Sequence, residues 1–264
     1  MMKNKLKESI KKKEVLVGTF LFIPSPSVME ILGYAGFDFA IIDTEHGPTG
    51  SIDTRMLEDL VRAANVSDIV PLVRLPENSR IMTAKALDSG ALGIVVPGIK
   101  TKDDAIELVR NTKYAPNGDR GSCYLTRATK YTSEYSPDYW SNANENTMAV
   151  PLIESKEGVE NLKDIISVPG IDFVFFGPRD LSMSLGYVDV NNPLTNQYSD
   201  KVEKICNENN MPLARFLYPP YKDSIKGWIS KGANILVVGG DVGIIYNTSN
   251  DIVKTVRETK RKLG

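Results

Sequence analysis

The 264-residue chain is 42% hydrophobic and 25% charged and has a formal net charge of −1, a balance that fits a globular protein with a sizeable core and disfavours the disordered and membrane-spanning classes. Near-zero charge leaves no field to gather nucleic acid or an acidic membrane surface, so partners must be recognised locally. The length suits one (β/α)8 barrel, a fold that typically takes about 250 residues.

Residues 3–13 hold too many lysines for a core element and are expected to form a solvated first helix. The first strand is predicted over 15–23 and is followed by Pro24-Ser-Pro-Ser and a helix over 28–34. A second strand over 37–42 runs into Asp43-Thr44-Glu45-His46-Gly47-Pro48. The apolar spacing of 52–64 then predicts a helix with Ser51 as its cap. Strand three, 69–75, contains Arg74, and the helix over 79–87 closes at Asp88-Ser89-Gly90, where Gly90 suits a left-handed C-cap. Strand four is predicted over 93–99, with a helix over 103–110.

The alternation breaks over 114–146, a long polar and aromatic stretch without clear strands, of the kind that forms a functional loop, a lid or an interface segment. It resumes with a strand over 149–153, a helix over 157–166 and a strand over 173–176. A helical turn over 180–185, an Asn-rich loop over 187–198 and a helix over 201–209 lead to strand seven, 212–217. A helix over 221–230, a strand over 235–238 and a last helix over 253–262 complete the count. Most strand runs are apolar on successive residues, as in a parallel sheet covered on both faces by helices. The chain is therefore expected to be a single (β/α)8 barrel over 1–264. Cys123 and Cys206 lie far apart without metal or redox spacing, and no signal-like or membrane-length run is present, which points to a reducing, cytoplasmic setting.

Chemistry-bearing residues collect where strands end, the rim at which such barrels display catalytic groups. Glu154 ends strand five and Asp180 follows strand six. As oxygen donors they suit Mg²⁺ or Mn²⁺, a hard ion that keeps open positions for water and a bidentate 2-oxo acid. They suit equally well the role of caps at the helices they precede. His46, the one histidine, stands at the end of strand two and can exchange protons there, while Asp43 and Glu45 satisfy neighbouring backbone or water. Asp88 is a candidate to fix its tautomer, or else a solvated helix end. Arg74, inside an apolar strand, needs a carboxylate or a bound oxyanion as partner. The Gly177-Pro178-Arg179 turn offers backbone N–H groups to a substrate carboxylate, and Gly239-Gly240 leaves a phosphate site conceivable.

Taken together, these segments resemble the HpcH/HpaI aldolases, metal-dependent class II pyruvate aldolases built on a barrel of the phosphoenolpyruvate/pyruvate type. The resemblance rests on Ala35-Gly36-Phe37-Asp38 through His46, Pro71-Leu-Val-Arg74, Leu87-Asp88-Ser-Gly90, Val96-Pro97, Arg120-Gly121, Arg127-Ala128, Ile153-Glu154 and Gly177-Pro-Arg-Asp180-Leu-Ser. It implies Glu154 and Asp180 as ligands of a divalent cation (Mg²⁺, Mn²⁺ or Co²⁺), His46 as acid/base residue, Asp88 as its partner and Arg74 as the group that steadies the enolate. It further implies that the backbone at Arg179 and Asp180 receives the substrate carboxylate, and that the chain forms a homo-oligomer, commonly a hexamer. Leu152 and Arg179 stand where better-known members carry Gln and a small residue. The implied reaction is cleavage of a 4-hydroxy-2-oxo acid to pyruvate and an aldehyde. Alternatives are another enolate reaction on the same site, with a phosphoenolpyruvate-like or decarboxylating substrate, or a catalytically weak barrel that only binds the oxo acid.

Overall fold

Eight short apolar runs become eight parallel strands, Leu16–Leu21 (β1), Phe39–Asp43 (β2), Val70–Arg74 (β3), Gly93–Val96 (β4), Met148–Ile153 (β5), Val174–Phe176 (β6), Leu213–Leu217 (β7) and Ile235–Gly240 (β8). In the computed structural model, which describes residues 3–48, 53–133, 136–217 and 221–263, each strand pairs with its sequence neighbours and β8 closes onto β1. Side chains that point inward, among them Phe20, Phe39, Ile41, Leu72, Val95, Leu152, Phe175 and Val237, fill the barrel as one cluster. Those that point outward, such as Leu21, Ile42, Val73, Ile153 and Phe176, form a second cluster with the helices. This alternation is why runs apolar at every residue were needed.

The first helix, Lys5–Lys11 (α1), departs from expectation. Leu6 and Ile10, one turn apart, are buried in the inner cluster, so α1 plugs the amino-terminal end of the barrel and only its lysine face is solvated. Pro26–Tyr34 (α2) follows β1, and Thr54–Val66 (α3) follows β2. The α3 cap is Asp53, whose carboxylate accepts from the backbone N–H of Arg55 and Met56; the predicted cap Ser51 and first residue Ile52 lie outside the described residues. Arg80–Asp88 (α4) is capped by Ser79 and ends before Gly90, which takes φ +96° as predicted. Lys102–Thr112 (α5) begins with a capping box between Thr101 and Asp104.

The long segment after α5 carries a 3-10 turn at Arg127–Thr129 and the helix Tyr139–Asn146 (α6), and none of its described residues forms a strand. It joins the end of a helix to the start of a strand, so both its anchors lie at the amino-terminal end of the barrel, away from its own rim. Tyr114, Tyr139, Trp140 and Ala143 pack together as a small core of their own. After β5, the predicted helix is split into Lys156–Glu160 (α7) and Leu162–Ile166 (α8). Pro178–Ser184 (α9) follows β6. Pro193–Glu208 (α10) starts inside the stretch expected to be a loop, because the Asn192 side chain caps it and Pro193 suits its first turn. Tyr221–Ser230 (α11) follows β7.

The last helix, Asp241–Leu263 (α12), is also longer than predicted and starts at the end of β8. Val242, Ile245, Tyr246, Ile252, Val253 and Val256 recur along it at helical spacing, yet all six are exposed. No helix among the described residues is long and apolar enough to cross a membrane.

Candidate active site

The centre of the rim is a charge cluster set by strand register. Asp43 and Arg74 are the last residues of β2 and β3 and face each other in the pairing. Arg74 donates from Nε to Asp43 Oδ1 at 2.9 Å and from Nη2 to Asp43 Oδ2 at 2.6 Å, a two-pronged contact that fixes the plane of the guanidinium. Its Nη1 lies 3.1 Å from Glu45 Oε2. Asp43 Oδ1 also accepts from the backbone N–H groups of Glu45 and His46, which folds the chain back at the strand end. The Asp43 side chain is 0% exposed, so the pair is fully enclosed on that side. In sequence, Asp43 and Glu45 look like groups that satisfy only neighbouring backbone or water. The signal that marks Asp43 as part of the site is the register, which sets a strand-end Asp opposite a strand-end Arg.

His46 projects outward with a side-chain exposure of 67%, and Glu45 Oε2 lies 3.8 Å from its Nε2. Glu45 itself is held above the usual carboxylate range, chiefly by burial, against the lowering pull of Arg74 and His46. On the far side, Glu154 directly follows β5. Its Oε1 accepts from the Gly98 N–H at 2.9 Å, and its other oxygen is turned toward Gly177, at the start of the turn that presents Asp180. Burial raises the Glu154 pKa, and the neighbouring charges of Asp180 and Glu45 raise it further. Glu45, Glu154, Asp180 and Arg74 therefore sense one another across a single mouth. Asp180 stands in the first turn of α9. Leu152, one pleat below Glu154, is buried and contributes to the floor.

Asp88 is not part of this cluster within the chain. It is the last residue of α4, a helix that runs back from the rim, so it lies at the amino-terminal end of the barrel, opposite His46. Its carboxylate accepts from Arg120 Nη2 at 2.7 Å, and the buried Arg120 guanidinium also stacks over Tyr114 at 4.4 Å. Arg127 donates to the Ser89 carbonyl nearby, so the segment after α5 is tied to the end of α4. The expected His46–Asp88 contact is thus replaced, inside one chain, by Asp88–Arg120. The Gly239-Gly240 turn is not an open phosphate cradle either: a Cβ on Gly240 would meet the Phe22 ring at 2.7 Å, so that ring occupies the space the glycine leaves. Among the described residues, no group of three or more His, Cys, Asp or Glu side chains forms a ready-made metal cage.

A closed parallel barrel carries, at the carboxyl ends of its strands, an acidic mouth built around one clamped arginine. Residues 16–248 match the family described as HpcH/HpaI aldolase/citrate lyase, and the chain belongs to that family. It is a carbon–carbon lyase. It is 28% identical to a 5-keto-4-deoxy-D-glucarate aldolase of Enterobacter sp. (strain 638) over 97% of each chain. Among solved structures, it superposes with a TM-score of 0.89 on an HpcH/HpaI aldolase/citrate lyase family protein from Burkholderia cenocepacia J2315, at 29% identity over 96% of this chain and 99% of that one. It superposes on the citrate synthase SbnG with a TM-score of 0.85, at 29% identity over 97% and 98% of the two chains.

Proposed function

We propose that the protein catalyses the reversible aldol cleavage of a 4-hydroxy-2-oxo acid to pyruvate and an aldehyde, with a divalent cation held by Glu154 and Asp180. The observation that carries this reading is the convergence of two strand-end carboxylates on the mouth that Arg74 faces. The donor set fits a hard ion: oxygen ligands only, few of them, and a surplus of negative charge around Glu154 that a cation relieves. Mg²⁺, Mn²⁺ and Co²⁺ all suit it. Bound there, the ion supplies Lewis acidity toward the 2-oxo group.

The remaining work falls to the chain. Backbone N–H groups at Arg179 and Asp180 receive the substrate carboxylate. Arg74, already oriented by Asp43 and Glu45, stabilises the negative charge that gathers on the C2 oxygen as the C3–C4 bond breaks, with no reorganisation at that moment. His46 takes the C4 hydroxyl proton as the C4 carbonyl forms, and protonation of C3 completes pyruvate. Asp88 lies at the wrong end of its own barrel for this work, so its role as a positioning residue for His46 requires a second copy of the chain. The exposed apolar face of α12 supports such a homo-oligomer, for which we propose a hexamer. Both cysteines are free thiols, in keeping with the cytoplasm.

Pyruvate release from 4-hydroxy-2-oxo acids, measured with and without EDTA, tests the reading. Loss of activity on chelation and its return on adding Mg²⁺ or Mn²⁺ is the expected result, and activity indifferent to complete metal removal overturns it. Mixing separately inactive His46→Ala and Asp88→Ala proteins should restore part of the activity if the two residues meet across a subunit boundary.

A further inference from the structure

The mouth has two chemically different halves, and the second is aromatic. Phe20 and Phe22 project inward from β1 and the residue just beyond it, and Phe216 does so from β7. Their rings are in contact: Phe20 to Phe22 at 5.7 Å and Phe20 to Phe216 at 5.9 Å between centroids, with Phe175 beneath at 5.9 Å from Phe20. Phe22 and Phe216 remain partly exposed. The wall is continuous with the reacting centre, because the Arg74 guanidinium lies over the Phe20 ring at 4.7 Å.

Among the described residues, the polar groups of β1, β7 and the end of β8 are turned away from the mouth. Asp241 is 2% exposed and its carboxylate is occupied by the backbone N–H groups of Phe22, Ile23 and Val242. The Thr19 hydroxyl donates to the Val238 carbonyl. Arg215 points out of the barrel to Glu203 and Trp228. Gly240 completes the arrangement, since any side chain there would collide with the Phe22 ring. Two strands therefore cooperate to seat one phenyl group at the lip of the site.

On the aldolase reading above, the charged half takes the 2-oxo acid. We propose that the aromatic half takes the aldehyde fragment, and that the enzyme's aldehyde is apolar, an aliphatic or aromatic aldehyde and not a polyhydroxylated one, with Phe22 as a specificity-determining residue. In the synthetic direction, the pyruvate methyl group loses a proton, its carbon forms the C3–C4 bond by attack on the aldehyde carbonyl, and the aldehyde oxygen takes up a proton to give the 4-hydroxy-2-oxo acid. A polyol would place hydroxyl groups against rings that offer no acceptor in the ring plane, losing hydrogen bonds to water without replacement.

The experiment uses the intact protein with Mg²⁺, pyruvate and either pentanal or glyceraldehyde, alongside solvent-deuterium exchange into the pyruvate methyl group. The expected kcat/KM favours pentanal by about 10-fold or more. That preference should shrink by about the same factor in Phe22→Ala, and less in Phe22→Leu, which keeps an apolar side chain should the alanine variant fold poorly. Methyl exchange with equal or better use of glyceraldehyde overturns the aldehyde assignment alone. Absence of both exchange and addition overturns the aldolase reading and this proposal with it.

Discussion

The two ends of the barrel bury charge in opposite ways. At the amino-terminal end buried charges are paired one by one: Asp172 accepts from the Ala149 N–H and pairs with Lys7 at 2.6 Å, and the buried Lys113 ammonium donates to the carbonyls of Asn144 and Thr147. Asn4 adds bonds to the carbonyls of Leu92 and Asn146 and seats α1 against the barrel floor. At the carboxyl-terminal rim, Asp43, Glu45, Glu154 and Asp180 gather around Arg74, and carboxylates are in excess. A balanced set holds a fold together, whereas an unbalanced one is left for a ligand to complete. Changes to the rim cluster should therefore alter catalysis, and changes to the floor pairs of Asp172 and Lys113 should alter stability alone.

The largest effect should come from the excess itself. Glu154→Gln and Asp180→Asn should each lower kcat about 10³-fold, as expected when a preorganised charge is removed from the reacting centre, measured as pyruvate release. In EDTA, however, Glu154→Gln should melt higher than the wild type. The Glu154 carboxyl is held above its ordinary pKa, so at neutral pH its ionised form weakens the fold. Removing such a charge commonly gains about 0.5–2 kcal/mol. The gain should fade as the pH falls toward the carboxylate range, where the wild-type group is protonated in folded and unfolded states alike. Next comes Arg74→Met, which leaves the buried Asp43 unpaired. It should remove activity and about 3–5 kcal/mol of stability, and the double variant Asp43→Asn, Arg74→Met should recover much of that stability without activity.

The same contrast explains what the sequence discloses. Strand centres such as 173–176 and 149–153 are legible because burial on both faces demands uninterrupted apolar residues, and Glu154, Asp180, His46 and Arg74 are legible because they interrupt or end such runs. Partners set by three-dimensional register are not legible in that way. Asp43 is fixed opposite Arg74 by strand pairing, and Asp88 is carried to the far end of the barrel by the direction of α4. The burial of α1 is hidden in its composition, because two apolar residues among many lysines suffice when they enter a barrel end. The extent of α12 is not legible because its apolar stripe stays exposed and joins no core among the described residues.

A smaller effect is expected at the floor. Asp172→Asn should cost about 2 kcal/mol, the order of a charge-assisted hydrogen bond set in a partly buried pair, and a domain of this size should melt about 4–8 °C lower. Its kcat per folded molecule should stay unchanged, as read by activity normalised to the native fraction. A loss of kcat in the folded fraction would mean that the two ends are coupled and that the contrast is wrong.

The most specific effect concerns Lys113, and at neutral pH it leaves activity untouched. Burial pulls its ammonium down to a pKa of about 8, opposed by the charge of Asp172, while its two carbonyl acceptors favour the charged form. With a folded-state pKa below the unfolded value of about 10.4, the unfolded chain holds this proton more tightly between those two pH values. Stability contributed by this residue therefore rises with pH from about 8 toward 10.4, as the penalty for burying the ammonium is released. Melting curves of the wild type and Lys113→Met, taken as a difference at each pH, isolate that term from other groups that titrate in the same range. The difference should move in favour of the wild type as the pH is raised across this window. A flat difference would show that the carbonyls of Asn144 and Thr147 hold the proton as firmly as water does, making the floor a more complete ion site than burial alone implies.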